Sequence, residues 1–244
     1  MDENERESIN SLKEDEPKPT TKTISCTQKF FAEFIGTAFL VFVVTGISIF
    51  NQNVLIYNGS FEAPFVLTSM IYVFGRISGA HFNPAVTIPM FLRKKITVIE
   101  CAYYICAQIL GAFLGSIFVG LCHRGNFENL AGNEILGEDG WKYFSCFFIE
   151  IILTFGLVFV IFASTVKKNN FGNLTGLIVG ITLYFLGITG SHVSGGSLNP
   201  ARSIAPAVIM AIKGKTGPIK QLWLYIIAPI IGGVIAGYLS LIFE

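Results

Sequence analysis

The stretch Ser78–Thr87, SGAHFNPAVT, is small, polar and helix-breaking in a chain that is otherwise mostly apolar, and it returns almost unchanged as Ser194–Ser203, SGGSLNPARS. Asn is a good helix N-cap and Pro is favoured at the first helical position, so each phrase reads as a helix start. One Asn-Pro-Ala alone is a weak signal that would fit any short surface helix. Two copies, each closing a short apolar run, ask for a common explanation.

The surroundings give one. The chain has 244 residues, 52% hydrophobic and only 14% charged, with a mean hydropathy of +0.62. Soluble domains carry about 25% charged residues, so lipid is the implied solvent. Apolar runs near the length of about 20 residues that crosses a bilayer lie at Phe30–Phe50, Ala63–Ile77, Val98–Leu121, Tyr143–Ala163, Leu174–Thr189 and Leu222–Phe243. The second and fifth are short and lead into the two phrases. Residues 1–28 are charged and Pro/Thr-rich with no apolar core, and they read as a disordered tail without a signal-peptide core. Residues 29–244 then form the membrane domain. The net charge of +1 gives no basic face for nucleic acid. Five cysteines, mostly inside apolar runs, are not a disulfide framework. His123 and His192 have no metal-ligand partners at useful spacing, and neither a metal nor another cofactor is expected.

The two halves repeat. FFAEFIGTAFLVFVV from Phe30 aligns without gaps to FFIEIILTFGLVFVI from Phe147, which places Glu33 and Glu150 at the same point. AQILGAFLGS from Ala107 aligns to APIIGGVIAG from Ala228, in the same order as the Asn-Pro phrases. The repeats span about residues 29–121 and 143–243. With three spans per half the second copy enters from the opposite side, so the fold is an all-α membrane protein with an inverted 3+3 repeat and a site at mid-membrane. Lys18, Lys22, Lys29, Arg76, Arg93, Lys94, Lys95, Lys167 and Lys168 fall on one side, against Arg124, Lys142, Lys213, Lys215 and Lys220 on the other. The richer side is cytoplasmic, which puts both termini inside. Asn58-Gly59-Ser60 then lies outside, where an N-glycosylation acceptor belongs. Trp141, Tyr143, Trp223 and Tyr225 fit an interfacial aromatic belt.

A helix from Pro84 to Leu92 is about 13 Å long, about half of a ~30 Å hydrocarbon core. Two half-helices from opposite sides can meet with their positive N-terminal ends facing each other. Irregular backbone at that depth must be buried or line a wet cavity, so Ser78–Phe82 and Ser194–Leu198 should line a pore, with Gly79, Ala80, His81, Gly195 and Gly196 along its path. Asn83 and Asn199 can donate to a passing water or hydroxyl. Two positive helix ends and Arg202, an intramembrane cation that is functional by default, repel cations, protons included. Arg202 has Val86 as its counterpart, so this charge guards one mouth only.

These features resemble the aquaporin, or major intrinsic protein, family: AEFIGT with Glu33, SGAHFNPAVT, Glu150 and GGSLNPARS, over about Lys29–Phe243. The resemblance implies six transmembrane helices plus two re-entrant half-helices built on Asn83-Pro84-Ala85 and Asn199-Pro200-Ala201. It implies that Glu33 and Glu150 brace the re-entrant loops, and a homotetramer with one pore per subunit. It also implies an outer filter of four positions, which fall here on Ala63, Gly187, Gly196 and Arg202, with Phe61 and Phe65 as close alternatives to Ala63. Strict water channels of the family carry bulkier residues there. The small set points to a wide constriction, while Ser203, where glycerol-type members usually have Asp, points the other way. We expect water permeation, with glycerol, urea or metalloid acids as candidate further solutes, in the plasma membrane before an internal one.

Other classes fit less well. There is no nucleophile–base set for an enzyme, and no mid-membrane carboxylate placed to couple an ion as in a secondary transporter. An anion-permeable channel and a closed-pore structural or adhesive membrane protein remain as alternatives.

Overall fold

The computed structural model describes residues 23–53, 62–135, 140–165 and 171–243. Asn58 and Phe61 lie outside the described residues. Eight α-helices are described: α1 Cys26–Asn53, α2 Glu62–Ser78, α3 Pro84–Leu92, α4 Val98–Cys122, α5 Gly140–Thr165, α6 Thr175–Ser191, α7 Pro200–Ile212 and α8 Gly217–Leu239. Of these, α1, α4, α5 and α8, and α6 together with the 3₁₀ turn Gly172–Leu174 before it, are long and apolar enough to cross a bilayer, and α2 is a shorter apolar helix. These six form the bundle, and α3 and α7 are the two half-helices.

Packing follows the repeat. α1 lies on α4 as α5 lies on α8, α3 packs on α8 as α7 packs on α4, and α2 meets α6 between the halves. Glycine makes the two main contacts possible. A Cβ on Gly111 would stand 2.3 Å from Phe34 O, and one on Gly232 would stand 2.3 Å from Ile151 O. Small residues of this kind let backbones touch where lipid supplies no hydrophobic drive.

The polarity of the bundle is inverted relative to a soluble protein. Phe31, Phe39, Phe65, Val73 and Phe185 are exposed, while Glu33, Gln108, Glu150, Asn83, Asn199 and Arg202 are buried. An apolar exterior of that extent marks a surface that meets lipid.

The structure departs from the sequence reading at both ends of the bundle and at one tyrosine. α1 starts at Cys26, inside the segment read as tail, because Ser25 and Gln28 cap each other: Ser25 N donates to Gln28 Oε1 (2.8 Å) and Gln28 N to Ser25 Oγ (3.2 Å). The last span ends as α-helix at Leu239 and finishes in a 3₁₀ turn, Ser240–Phe243, where Arg93 donates to Gly237 O and Ser240 Oγ. Tyr225 is not in an interfacial belt. It is fully buried, and its hydroxyl donates to Ser194 O at 2.9 Å. Trp141 and Trp223 do lie exposed.

Candidate functional site: two half-helices at a shared cavity

The re-entrant loops are built alike. Gly79, Ala80 and Phe82 have φ of 89°, 54° and 51°, and their counterparts Gly195, Gly196 and Leu198 have 79°, 60° and 53°. The left-handed region costs a non-glycine residue roughly 1–2 kcal/mol, so Ala80, Phe82 and Leu198 must be held there.

Glu33 and Glu150 make the holding bonds. Glu33 Oε1 accepts from Ser78 Oγ (2.6 Å) and His81 N (2.9 Å), and Oε2 from Phe82 N (2.7 Å) and Gln108 Nε2 (2.8 Å). Glu150 Oε1 accepts from Ser194 Oγ (2.6 Å) and Ser197 N (2.8 Å), and Oε2 from Leu198 N (2.8 Å). Tyr104 donates to Ser78 O (2.8 Å), the place Tyr225 takes on Ser194. In a trans peptide the C=O points away from its N–H. The carbonyls of Ala80 and His81 therefore face away from Glu33, and those of Gly196 and Ser197 away from Glu150.

Each half-helix then begins at its asparagine. Asn83 Oδ1 accepts from Ala85 N at 2.8 Å, and Asn199 Oδ1 accepts from Ala201 N at 3.0 Å. The amide groups cross over: Asn83 Nδ2 donates to Leu198 O (2.8 Å) and Asn199 Nδ2 to Phe82 O (2.9 Å). This reciprocal pair locks the two N-termini together. An amide carries two N–H donors, so each asparagine keeps one for whatever lies beside it.

What lies beside them is a cavity of about 100 Å³, walled by Leu40, Leu67, Leu157, Val179 and other apolar side chains and by Gly79, Ala80, His81, Asn83, Asn199 and Arg202. It shares Gly79, His81, Ile161 and Thr165 with a wider vestibule of about 750 Å³ that opens beside Lys29, Lys95 and Glu100. Pro84, Ala85, Pro200 and Ala201 are buried behind this wall.

The four positions expected to form the filter, Ala63, Gly187, Gly196 and Arg202, are not equivalent. Ala63 and Arg202 lie on the cavity wall, while Phe65 turns outward and is 68% exposed. Among the described wall residues Gly187, Gly195 and Gly196 do not occur; Gly187 and Gly196 pack on each other, and a Cβ on Gly196 would stand 3.3 Å from Gly187 O. Arg202 Nη1 donates to Asn133 Oδ1 (2.8 Å) and Ala131 O (3.3 Å). His81 Nδ1 lies 3.2 Å from Thr87 Oγ1.

Residues 20–240 match the family described as major intrinsic protein. The chain belongs to that family. Relatives of this major intrinsic protein include Nodulin-26 of Glycine max, 35% identical over 214 residues, covering 85% of this chain and 74% of the relative. Glycerol uptake facilitator protein-like 6 of Lactiplantibacillus plantarum is 36% identical, covering 86% and 95%. Among solved structures, the aquaglyceroporin from Plasmodium falciparum superposes with a TM-score of 0.78 at 26% identity, covering 88% of this chain and 95% of that one. Major intrinsic proteins are membrane channels for water, glycerol and other small solutes.

Several site residues escape a reading of the sequence. Ser78 and Ser194 lie inside the repeated phrases, and Tyr104 and Tyr225 fall in register once the third aligned segment is extended toward its N-terminus. Gln108 aligns with Pro229 and Asn133 has no counterpart, so the repeat could not reveal either.

Proposed function

We propose that this chain is a passive channel for water and small neutral solutes, glycerol among them, that excludes ions and protons. One observation carries the reading: two helix N-termini, tied by Asn83 and Asn199, converge on a narrow cavity whose other walls are largely apolar. A solute there loses bulk water. It is repaid by one amide N–H from each asparagine and by a line of loop carbonyls, which suits water and hydroxyl-rich neutral molecules. A cation faces two positive helix ends and Arg202 at that point, and the low dielectric strengthens the repulsion.

In this reading Ala63, Gly187, Gly196 and Arg202 form the outer filter. Ala63 contributes a methyl group and the packed Gly187–Gly196 pair contributes backbone alone, so Arg202 is the one long side chain of the four. That leaves room for a solute larger than water, in keeping with the name of the glycerol uptake facilitator relative. Glu33 and Glu150 hold the loops that present Gly79, Ala80, His81 and Gly195. The channel domain is 29–244 with the α1 cap added, both termini are cytoplasmic, and the assembly is a homotetramer in the plasma membrane.

Stopped-flow light scattering on proteoliposomes of the purified protein, with water and glycerol gradients in parallel, tests this. Both fluxes should exceed those of empty liposomes. Fast water without glycerol would sink the wide filter, and absence of both would sink the open channel.

A further inference from the structure

We propose that Arg93, at the inner end of α3, is the positioning residue for the first half-helix: by tying that end to the close of α8 and to α5, it fixes the depth at which Asn83 meets Leu198. The inference rests on the reading of the chain as a channel for water and glycerol with Asn83 at its centre.

α3 is poorly equipped to hold its own place. It has nine residues, Pro84–Leu92, and Pro89 sits inside it. A proline there removes the N–H that would bond Ala85 O, and helices this short are marginal unless packing holds them. At mid-membrane its start is tied by Asn83 Nδ2, which donates to Leu198 O. At the other end Arg93 makes the ties.

Arg93 caps α3, its N–H donating to Pro89 O at 2.9 Å. The side chain then leaves the helix. Its Nη1 donates to Gly237 O and, at 2.8 Å, to Ser240 Oγ, and the guanidinium carbon stands 5.4 Å from the centre of the Phe162 ring. Each partner suits a cation. Gly237 lies in the last turn of α8, where carbonyls have no partner within the helix and the helix end is negative. α3 ends beside it, so one guanidinium serves two negative helix ends. Phe162, from α5, is 1% exposed and packs with Val86 and Met90 of α3 and Ala236 of α8. A Cβ on Gly237 would stand 3.0 Å from Pro89 Cβ and 3.4 Å from Phe162 Cε2. Arg93 therefore closes a tight joint of three helices. Arginine fits there because its planar group donates in the plane and stacks on a ring face at once.

Nine residues make a rod of about 13 Å, and a shift at Arg93 is carried along it to Asn83. α7 has 13 residues, and its cap Lys213 sets its amine 5.9 Å over the Phe127 ring. The shorter half-helix is the one with the arginine. Its last turn also shapes the inner vestibule, which Met90, Lys95 and Ile96 line. Without Arg93 the rod slips, Asn83 no longer presents its amide at the cavity, and glycerol, with several hydroxyls to satisfy, suffers more than water.

The test uses Arg93→Met, which keeps the stem and removes the donors, and Arg93→Lys, which keeps a charged donor. Arg93→Gln, shorter and uncharged, is in reserve should the methionine variant fail to fold. Lys94→Gln removes a neighbouring exposed charge as control. Water and glycerol permeabilities are measured on proteoliposomes. A fraction of misfolded protein lowers both alike, so the ratio reports on the pore. Arg93→Met or Arg93→Gln should lower the glycerol-to-water ratio by about threefold or more. Arg93→Lys should restore most of it, and Lys94→Gln should keep it. A wild-type ratio in the methionine or glutamine variant overturns the inference. So does an equal fall in Lys94→Gln, which is the mark of lost surface charge. Should wild type pass neither solute, or water alone, the channel reading itself fails, a different result from any of these.

Discussion

Both oxygens of Glu33 meet two donors each, whereas Glu150 Oε2 meets Leu198 N alone. Replacing either carboxylate by an amide turns one acceptor into a donor. Glu150→Gln can place its amide nitrogen at the lighter oxygen and orphan one buried N–H, at a cost of about 1–3 kcal/mol. At Glu33 the amide nitrogen meets two donors wherever it is placed, Ser78 Oγ and His81 N at one oxygen or Phe82 N and Gln108 Nε2 at the other. Glu33→Gln should therefore cost more than Glu150→Gln in urea unfolding of the detergent-solubilised protein. If Glu33→Gln unfolds no earlier than Glu150→Gln, the first loop relaxes around the amide. Residue roles of this sort were half legible in the sequence. A glutamate in mid-span is conspicuous and asks for partners, but the partners are backbone N–H groups of a loop about 45 residues away, and only folding selects them.

At the scale of elements, the half-helices could be read because their start is chemically marked: Asn caps, Pro follows, and the apolar run behind is short. Their depth depends on neighbours that the sequence does not mark. Gly233 on α8 is one, since a Cβ there would stand 2.2 Å from Ala85 O at the start of α3. Its repeat counterpart is Ala112 on α4, which packs with Ala201 and Ala205 of α7 and already carries a Cβ. So α3 is seated closer to its supporting helix than α7 is. Gly233→Ala should displace the first half-helix and break the Asn83–Leu198 register. We expect water permeability to fall by about tenfold or more, as a displacement near 1 Å does in other preorganised sites, while Ala112→Gly changes it little. Equal permeabilities of the two variants would show that α3 can yield without disturbing Asn83. The segment 126–135 was the element least legible in the sequence. Its residues look like a plain polar connection, and only tertiary contacts at Leu130, Asn133 and Ile135 draw it inward.

The whole molecule is a two-fold device in which each half supplies one loop, one glutamate and one half-helix, and that much was written in three aligned segments. Orientation was written less firmly, in a lysine and arginine bias that the lysines after α7 dilute. The fold ties the question to a few thiols. Lys29 and Glu100 form an ion pair at 2.5 Å, so the N-terminal ends of α1 and α4 share one face. Cys26 lies at that face and is exposed. Cys122, also exposed, closes the 25-residue α4. A helix of that length is about 37 Å long, more than the ~30 Å hydrocarbon core, so the two thiols stand on opposite sides of the membrane. With Cys101, Cys106 and Cys146 replaced by alanine, a membrane-impermeant maleimide applied to intact cells should label a protein that keeps Cys122 and spare one that keeps Cys26. Permeabilised cells should label both. The reverse pattern would put the N-terminus outside and place Arg202 at the inner mouth, so that the proposed filter would meet solutes leaving the cell before those entering it.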